Sequence, residues 1–291
     1  MDMWRICFAA NLGERMSVDH TILITGASSG IGLASARRMK ERGWRVLASA
    51  RKPDDLSRLE RDEGFIAIPL EQADPSSVDR AAAMALDRAG GRIDALFNNA
   101  AYGQIGALED VPAARLREQL EVNVIAPHAL ARALIPGMRQ RGFGRIVQCS
   151  SVLGLVGAPH RGAYCASKFA LEALSDCLRV ELAGTGIDVV LIEPGPIRTR
   201  FVETALEVFK ATIDIEASPH REDYRRRLAS METGGRQRFK LEPEAVADKL
   251  VTALEARRPK ARYFVTTPTY IAAGLKRVVS TRMLDMFVKK I

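Results

Sequence analysis

The chain has 291 residues, of which 47% are hydrophobic and 27% are charged. That composition is typical of a globular protein, and the length suffices for one large α/β domain or at most two. Lysine and arginine number 43 against 35 aspartate and glutamate residues, which gives a formal net charge of +8. This excess attracts polyanions such as nucleic acid, an acidic membrane surface or a phosphorylated cofactor, but the dispersed charges favour a solvated surface that is merely basic.

Residue usage argues against several classes of protein. The four cysteines have no C-x-x-C spacing, which fits a reducing compartment such as the cytoplasm, and the four isolated histidines predict no metal site. No run of about 18 apolar residues predicts a membrane span, and 6% aromatic content without a recognised module argues against nucleic-acid binding. We interpret Cys149 and Cys165 as small buried hydrophobes and expect Cys177 to contribute to packing.

In chain order, a tail over residues 1–19 precedes short apolar runs that alternate with amphipathic stretches of helical length. Helices are predicted over 32–43, 76–89, 113–141 and 163–183, with further helix starts at Asp74-Pro75-Ser76 and Glu242-Pro243-Glu244. This alternation indicates a single α/β domain, residues 20–268, with a doubly wound parallel sheet covered on both faces. The seven predicted strands are 21–25, 45–50, 65–70, 93–98, 145–150, 188–193 and 262–266.

Two segments do not fit the simple alternation. Residues 199–241 form a long insertion after the sixth strand, and we predict a helical substrate lid in which 201–213 places apolar side chains over a ligand. Residues 269–291 form a basic, amphipathic helical extension. Docking of this extension on a partner subunit is the interpretation we favour, with contact to a membrane surface as the alternative.

The stretch TGASSGIG, residues 25–32, follows the first strand and opens the first helix. Glycines at 26, 30 and 32 let the backbone approach a pyrophosphate closely, and the helix amino terminus adds unpaired N–H groups and a positive dipole. Glycines after a strand also occur in plain turns. Their position at the first strand-to-helix junction nevertheless predicts nucleotide binding.

Together with NNAA (98–101), NVIA (123–126), YCASK (164–168) and PGPIRT (194–199), this loop resembles the classical short-chain dehydrogenase/reductase family. The likeness runs from about residue 21 to 266, and AYCASKFALEAL is nearest the hydroxysteroid and retinol dehydrogenase branch. It implies a Rossmann-type fold, a nicotinamide cofactor, an alcohol or ketone substrate, and a homodimer or homotetramer. The implied cofactor contacts are Gly26, Ser28, Ser29, Gly30, Ile31, Gly32, Glu71, Asn98, Ala100, Tyr164, Lys168, Pro194, Gly195, Ile197 and Thr199.

The end of the second strand indicates which nicotinamide cofactor is used. An acid at this point binds the adenosine ribose hydroxyl of NAD, whereas an arginine accommodates the 2′-phosphate of NADP. Here Ala50 occupies the place of the acid, and Arg51 and Lys52 follow it. We therefore predict NADP(H) rather than NAD(H), with a solvated Arg51 of no function as the alternative.

The segment CSSVLGLVGAPHRGAYCASKF, residues 149–169, contains the predicted proton-transfer groups. Tyr164 and Lys168 are four apart on a helix, so the ammonium is expected near the phenol and to lower its pKa. The resemblance implies Ser151, thirteen positions before the tyrosine, as hydroxyl donor to the substrate, and Asn123 as the holder of a water beside the lysine. Because successive side chains of a strand point to opposite faces, Ser150 is expected to face away from the site. His160 is expected at the rim of the site or exposed.

The leading hypothesis is an NADP(H)-dependent oxidoreductase that interconverts a carbonyl and an alcohol, with Tyr164 as general acid/base and an apolar substrate. A 3-oxoacyl reductase is the enzymatic alternative. A non-catalytic NADP(H)-binding sensor or scaffold is a third possibility, against which the complete set of Asn123, Ser151, Tyr164 and Lys168 argues. A serine hydrolase is disfavoured because G-x-S-x-G is absent.

Overall fold

The computed structural model describes residues 20–232 and 239–289. Seven parallel strands form one sheet in the order β3-β2-β1-β4-β5-β6-β7. The strand order reverses between β1 and β4, and open sheets bind ligands at the carboxyl ends of strands beside such a reversal. This confirms the predicted doubly wound sheet. The strands are β1 (Thr21–Ile24), β2 (Arg45–Ala50), β3 (Ile66–Pro69), β4 (Ala95–Asn98), β5 (Gly144–Cys149), β6 (Ile187–Glu193) and β7 (Arg262–Phe264).

Helices cover both faces of the sheet. One apolar layer joins the sheet to α1, α2 and α9, and the other joins it to α3 and α5. Because both faces are buried, the strands are almost continuously apolar, which is why they stand out in the sequence. The helices are α1 (Gly30–Glu41), α2 (Pro53–Arg61), α3 (Pro75–Arg88), α4 (Ala113–Leu120), α5 (Ala126–Arg141), α6 (Gly162–Glu181), α7 (Phe201–Thr212), α8 (Arg221–Glu232), α9 (Glu244–Glu255), α10 (Thr267–Val278) and α11 (Thr281–Val288).

Both predicted helix starts are confirmed. The Asp74 carboxylate accepts a hydrogen bond from the Ser76 backbone N–H, with Pro75 in the first turn of α3. Helix α9 begins at Glu244, directly after Pro243.

The structure corrects two helix predictions. The run 113–141 is not one α-helix, because a π-helical turn over Glu121–Ile125 separates α4 from α5. The carboxy-terminal extension is two helices, α10 and α11, separated by extended backbone at Val279 and Ser280. The predicted tail, residues 1–19, lies outside the described residues. Within the described residues, no helix combines the length and the apolar character needed to cross a bilayer.

Candidate active site

The glycine loop lies at the carboxyl end of β1, beside the reversal in strand order. Gly26 and Gly30 have φ angles of 66° and 53°, in the left-handed region that favours glycine. A Cβ on Gly32 would lie 2.1 Å from the carbonyl oxygen of Gly26. Ser29 is the N-cap of α1, and its side chain makes no capping hydrogen bond. The loop therefore leaves bare backbone at the amino terminus of α1, which fits a pyrophosphate.

The segment after β4 fixes this loop in place. The hydroxyl of Thr25 accepts hydrogen bonds from the backbone N–H groups of Asn99 and Ala100, each at 3.0 Å. The Asn99 amide in turn donates to the Thr25 carbonyl at 3.0 Å. A Cβ on Gly26 would lie 2.8 Å from the Cβ of Ala100, so the two segments touch. Sequence reasoning missed Thr25 and Asn99, although both stand inside the motifs TGASSGIG and NNAA.

Asn98 ends β4 next to this contact, but its side chain turns toward α5. Its amide donates to the Pro127 carbonyl at 3.0 Å, and the residue is 3% exposed. The predicted contact of Asn98 with the cofactor therefore stays a prediction, since its amide donor is already used within the protein.

The predicted adenosine end of the site lies at the carboxyl ends of β2 and β3. Ala50 is buried at the end of β2, whereas Arg51 and Lys52 are exposed. The Arg51 guanidinium lies 3.6 Å from the Glu71 carboxylate, so these two predicted contacts share one rim. Arg58 of α2 donates to the Ser28 carbonyl at 2.5 Å. Sequence reasoning missed Arg58 because α2 itself was not predicted.

The segment after β6 closes the other side of the glycine loop. The Thr199 methyl group lies 3.0 Å from the position of a Cβ on Gly30. A Cβ on Gly195 would lie 2.1 Å from the hydroxyl of Thr266, which brings this turn against the start of α10. The Pro194 carbonyl accepts a hydrogen bond from the Val152 N–H at 2.8 Å. Residues 194–199 therefore run from the end of the sheet to the predicted phosphate site.

Tyr164 and Lys168 lie on α6 beneath this segment, with exposures of 9% and 3%. The Lys168 ammonium donates to the Cys149 carbonyl at 2.8 Å and lies 5.7 Å from the centre of the Tyr164 ring. Burial raises the pKa of Tyr164 well above its ordinary value, against a hydrogen bond with Ser151 that lowers it. Burial also lowers the pKa of Lys168. The ammonium lies near the phenol as predicted, whereas burial opposes the lowering of the tyrosine pKa that Lys168 and the oxidised nicotinamide are together expected to cause, and that lowering stays a prediction.

Ser150 and Ser151 face opposite ways at the end of β5, as predicted. The Ser151 hydroxyl accepts from the Leu153 N–H at 3.1 Å and so caps a 3-10 turn over Val152–Gly154. The same hydroxyl lies near enough to Tyr164 to lower the pKa of its phenol. Ser150 is 4% exposed, and its hydroxyl has no hydrogen-bond partner among the described residues.

Asn123 sits at the centre of the π-helical turn and is 1% exposed. Its amide nitrogen donates to the Tyr102 carbonyl and to the Ser167 hydroxyl, both at 3.0 Å. Its amide oxygen accepts from the Tyr102 N–H at 3.2 Å. These bonds tie the turn to α6 beside Lys168, and π-helical turns of this kind occur frequently at functional sites. The water expected on Asn123 stays a prediction.

The lid covers the tyrosine. The ring of Phe201, the first residue of α7, lies 5.4 Å from the Tyr164 ring, and α7 packs on the loop after β4 through Phe209. His160 is not at an exposed rim: its side chain is 9% exposed, and its Nε2 lies 2.5 Å from an Asp223 carboxylate oxygen of α8. The charged helix α8 holds it there, a contact that local patterning could not reveal.

The cysteines divide into buried and exposed positions. Cys149 and Cys165 are buried, as predicted, and burial raises the pKa of both thiols, which makes them poor nucleophiles. Cys177 is exposed, so the expectation that it packs is wrong. No cluster of His, Cys, Asp and Glu able to hold a metal ion occurs in residues 20–232 and 239–289.

Comparison with known proteins agrees with this geometry. The short chain dehydrogenase family matches residues 20–208. The uncharacterized oxidoreductase YbbO of Escherichia coli is 42% identical over 92% of this chain and 94% of its own length. Human 17-beta-hydroxysteroid dehydrogenase type 1 is 36% identical over 84% of this chain and 77% of its own. The NADPH-dependent 3-dehydrocapnine reductase of Ornithobacterium rhinotracheale is 33% identical over 92% of this chain and 95% of its own length.

Solved structures give the same fold. A short-chain dehydrogenase of Sphingobium yanoikuyae in complex with NADPH has a TM-score of 0.67 and 27% identity, covering 92% of this chain and 95% of its own. A family member from Burkholderia phymatum in complex with NAD has a TM-score of 0.74 and 26% identity, covering 92% and 94%. The chain belongs to the short-chain dehydrogenases, which are oxidoreductases that act on CH–OH groups of small molecules with a nicotinamide nucleotide.

Proposed function

We propose that the protein is an NADP(H)-dependent oxidoreductase that interconverts a carbonyl and an alcohol, with Tyr164 as the general acid/base. The observation that carries this proposal is the buried Tyr164, which lies beside Ser151 and one helical turn from Lys168. A protein that only binds a nucleotide has no need of such a group, which argues against the sensor or scaffold alternative.

The proposed roles follow from these contacts. When bound, the nicotinamide supplies or accepts the hydride. The Ser151 hydroxyl hydrogen-bonds to the substrate oxygen and orients it, and Tyr164 gives that oxygen its proton in the reductive direction. Lys168, held by the Cys149 carbonyl, carries the positive charge that stabilises the phenolate left behind. Asn123 braces α6 beside it through Ser167.

The proton state of Tyr164 fits the role of a general acid. Burial holds the pKa of the phenol above its ordinary value, so the side chain keeps its proton at neutral pH. A protonated tyrosine is ready to act as an acid toward a substrate carbonyl oxygen. Oxidation of an alcohol requires the phenolate first, which costs free energy in a buried site.

NADP(H) is the cofactor that the charges support. No carboxylate stands at the end of β2, where Arg51 and Lys52 follow the strand, and Arg58 in the last turn of α2 reaches the glycine loop. Arg51 pairs with Glu71 and Arg58 with Asp55, and Asp54 also lies in the first turn of α2, so the support for NADP(H) rests on the two cations directly after the strand. The backbone held by Gly26, Gly30 and Gly32 would cradle the pyrophosphate, with Pro194, Gly195, Ile197 and Thr199 on the opposite side.

An apolar substrate is supported by the lid. The residues between α7, α8 and the loop after β4 form an apolar cluster, and Phe201 extends it to Tyr164. The relatives named for a steroid and for 3-dehydrocapnine are consistent with a bulky, largely apolar substrate. A 3-oxoacyl compound remains the second candidate because it presents the same carbonyl on an apolar chain.

The direct test is to follow NADPH oxidation with purified protein and a panel of steroids, retinoids, 3-oxoacyl thioesters and aldehydes. We expect saturable turnover with at least one bulky apolar carbonyl compound. Turnover confined to 3-oxoacyl thioesters would favour the alternative. NADPH binding without turnover across the whole panel would favour a sensor.

We also propose that the protein is a homodimer or homotetramer located in the cytoplasm. Six of the thirteen large hydrophobic residues that are exposed in the described part of the chain lie between Tyr270 and Phe287, on α10 and α11. Lys276 of α10 lies 4.5 Å from the centre of the Phe169 ring, so this surface continues onto α6. A second copy of the chain is the occupant we favour, since α6 itself also exposes Leu174 and Val180.

Light scattering after size exclusion would test this assembly. We expect a dimer or tetramer that the double substitution Met286→Asp and Phe287→Asp weakens. A monomer that sediments with vesicles of anionic phospholipid, and loses that binding in the double variant, would instead assign the surface to membrane contact.

A further inference from the structure

A partly buried cluster of charges joins the middle of the catalytic helix α6 to strands β6 and β7. Arg262 of β7 contacts three carboxylates: Glu172 and Asp176 of α6, and Glu193 at the end of β6. The Arg262 guanidinium lies 2.5 Å from Glu193 and 2.7 Å from Asp176, and it also pairs with Glu172. The side chains of Glu172 and Glu193 are 8% and 0% exposed.

This cluster has more negative than positive charge. Asp176 has a second cation, Arg179, at 2.6 Å, whereas Glu172 and Glu193 share the single guanidinium. Each of the two glutamates has one oxygen on Arg262 and a second oxygen that is buried and has no donor while both are ionised. Two ionised carboxylates in a dry site repel each other strongly, so one of them is expected to keep its proton.

The cluster joins three elements of the proposed active site. Glu172 lies one helical turn after Lys168, and Glu193 directly precedes the Pro194–Gly195 turn. Ser150, next to Ser151, faces the same space: a Cβ on Gly154 would lie 2.7 Å from the Ser150 hydroxyl and 3.2 Å from a Glu172 oxygen. Any change in the cluster therefore acts on the helix that carries Lys168 and on the turn that faces the cofactor.

We propose that Glu172 and Glu193 form a hydrogen-bonded carboxyl–carboxylate pair that shares one proton, and that this pair positions Lys168 and the Pro194–Gly195 turn. The shared proton supplies the missing donor between the two buried oxygens and leaves the pair with one negative charge on Arg262. These are positioning residues. The pair acts on α6 and on β6 and does not touch the substrate.

The surrounding charges agree with a retained proton. Burial, and then the charge of Glu172, raise the pKa of Glu193 to about 8, against the opposing effect of Arg262. The other groups that face the pair are Lys168 and Asp176 from α6, Arg262 from β7, and the uncharged Ser150 from β5. The charge of Glu172 also favours the ammonium form of Lys168, which couples the pair to the catalytic lysine.

The pair has a defined effect on stability. In the folded chain the pKa of Glu193 lies above the ordinary value of a glutamate. The unfolded chain therefore loses this proton first as pH rises. The stabilisation that the shared proton contributes is therefore fully present at acidic pH and is lost as pH rises toward and through 8. Above that pH the two carboxylates repel, and we expect α6 and the end of β6 to separate.

The test compares Glu193→Gln with the wild type between pH 6 and pH 9. The glutamine keeps the shape and donates a permanent hydrogen bond to Glu172. We expect its melting temperature to exceed that of the wild type by about 5 °C or more at pH 9, with the difference shrinking toward pH 6. The dissociation constant for NADPH should rise with pH in the wild type and stay level in the variant.

Asp176→Asn is the matched control, because Asp176 also contacts Arg262 but has its own cation. The melting temperature of Asp176→Asn should depend on pH in the same way as that of the wild type. A carbonyl stretching band of a protonated carboxylic acid, present in the wild type at pH 7 and absent from Glu193→Gln and Glu172→Gln, would locate the proton. If Glu193→Gln and the wild type show parallel melting curves against pH, the shared proton is refuted.

The catalytic effect rests on the proposed function, whereas the shared proton does not. The melting and infrared measurements need no turnover. An enzyme that fails on every substrate but passes these measurements would refute the proposed function alone. An active enzyme whose melting temperature and NADPH affinity lack the predicted difference would refute the pair alone.

Discussion

The Phe201 ring at the start of the lid lies on the Tyr164 ring, with the two centres 5.4 Å apart. Gly103 leaves room for this contact, since a Cβ there would lie 2.9 Å from the Phe201 ring. The lid therefore covers the proposed acid with an apolar surface. A substrate carbonyl has to reach Tyr164 past this ring, which makes Phe201 a direct test of how the lid selects substrates.

Phe201→Ala should raise the KM for a bulky apolar carbonyl compound and leave the KM for a small aldehyde almost unchanged. The aromatic contact that this ring would make with a bulky substrate is worth about 0.5–1.5 kcal/mol, or roughly a two- to tenfold change in KM. Steady-state kinetics with the two substrates measures this split. Phe169→Ala, which removes an exposed ring of α6, should alter neither value. An equal rise for both substrates would contradict a role in selection.

Gly32→Ala should abolish tight cofactor binding. Its Cβ would lie 2.1 Å from the Gly26 carbonyl and 2.7 Å from the Asn99 amide, so the glycine loop has to move. The strain costs about 1–3 kcal/mol, and NADPH affinity should fall more than tenfold by fluorescence titration. Gly274→Ala in α10 is the control, since no atom lies within 4 Å of its Cβ position. Unchanged affinity in Gly32→Ala would argue against the loop as the phosphate site.

Arg51→Asp should weaken NADPH binding far more than NADH binding. The change places a second carboxylate beside Glu71, where the 2′-phosphate is expected. A ten- to hundredfold difference between the two cofactors, about 1.4–2.7 kcal/mol, is the expected result in titrations with each. Arg61→Asp on the same helix α2, where Arg61 pairs with Asp62, serves as the control. Equal losses for NADPH and NADH would overturn the assignment of the cofactor.

The lid should loosen in acid. Burial would raise the pKa of Asp223, but hydrogen bonds from Arg227 and Arg226 outweigh it and lower that pKa to about 2. Its folded pKa lies below the unfolded value, so its stabilisation of α8 is present above about pH 4 and is lost as pH falls toward 2. Pepsin cleavage within α8 should increase over this range. Asp223→Asn should be cleaved readily throughout, and Glu222→Gln should behave as the wild type.

Burial on both faces made the sheet readable from the sequence. Strands such as β1 are buried at every position and mostly apolar, and the motifs after them come from residues close together in the chain. Helix α2 was missed because it is only nine residues long and its apolar face consists of Leu56 and Leu59 alone. The π-helical turn was missed because bonds from Asn123 to Tyr102 and Ser167 create it, and these depend on tertiary structure.

The electrostatics of the site also depended on tertiary contacts. The spacing of Tyr164 and Lys168 correctly put both on one helix, but spacing alone does not give the burial that raises the tyrosine pKa. The position of His160 was wrong for the same reason. Glu172 and Arg262 are 90 positions apart, so no local pattern could bring them together.

Substitution of Tyr164 by phenylalanine tests the account most directly. The measurement pairs the rate of NADPH oxidation with the dissociation constant for NADPH, and Tyr102→Phe, which removes another buried hydroxyl, is the control. We predict that Tyr164→Phe loses about 10²–10⁴-fold in turnover, the usual contribution of a general acid, while it still binds NADPH. Turnover in Tyr164→Phe equal to that of Tyr102→Phe would contradict Tyr164 as the acid/base.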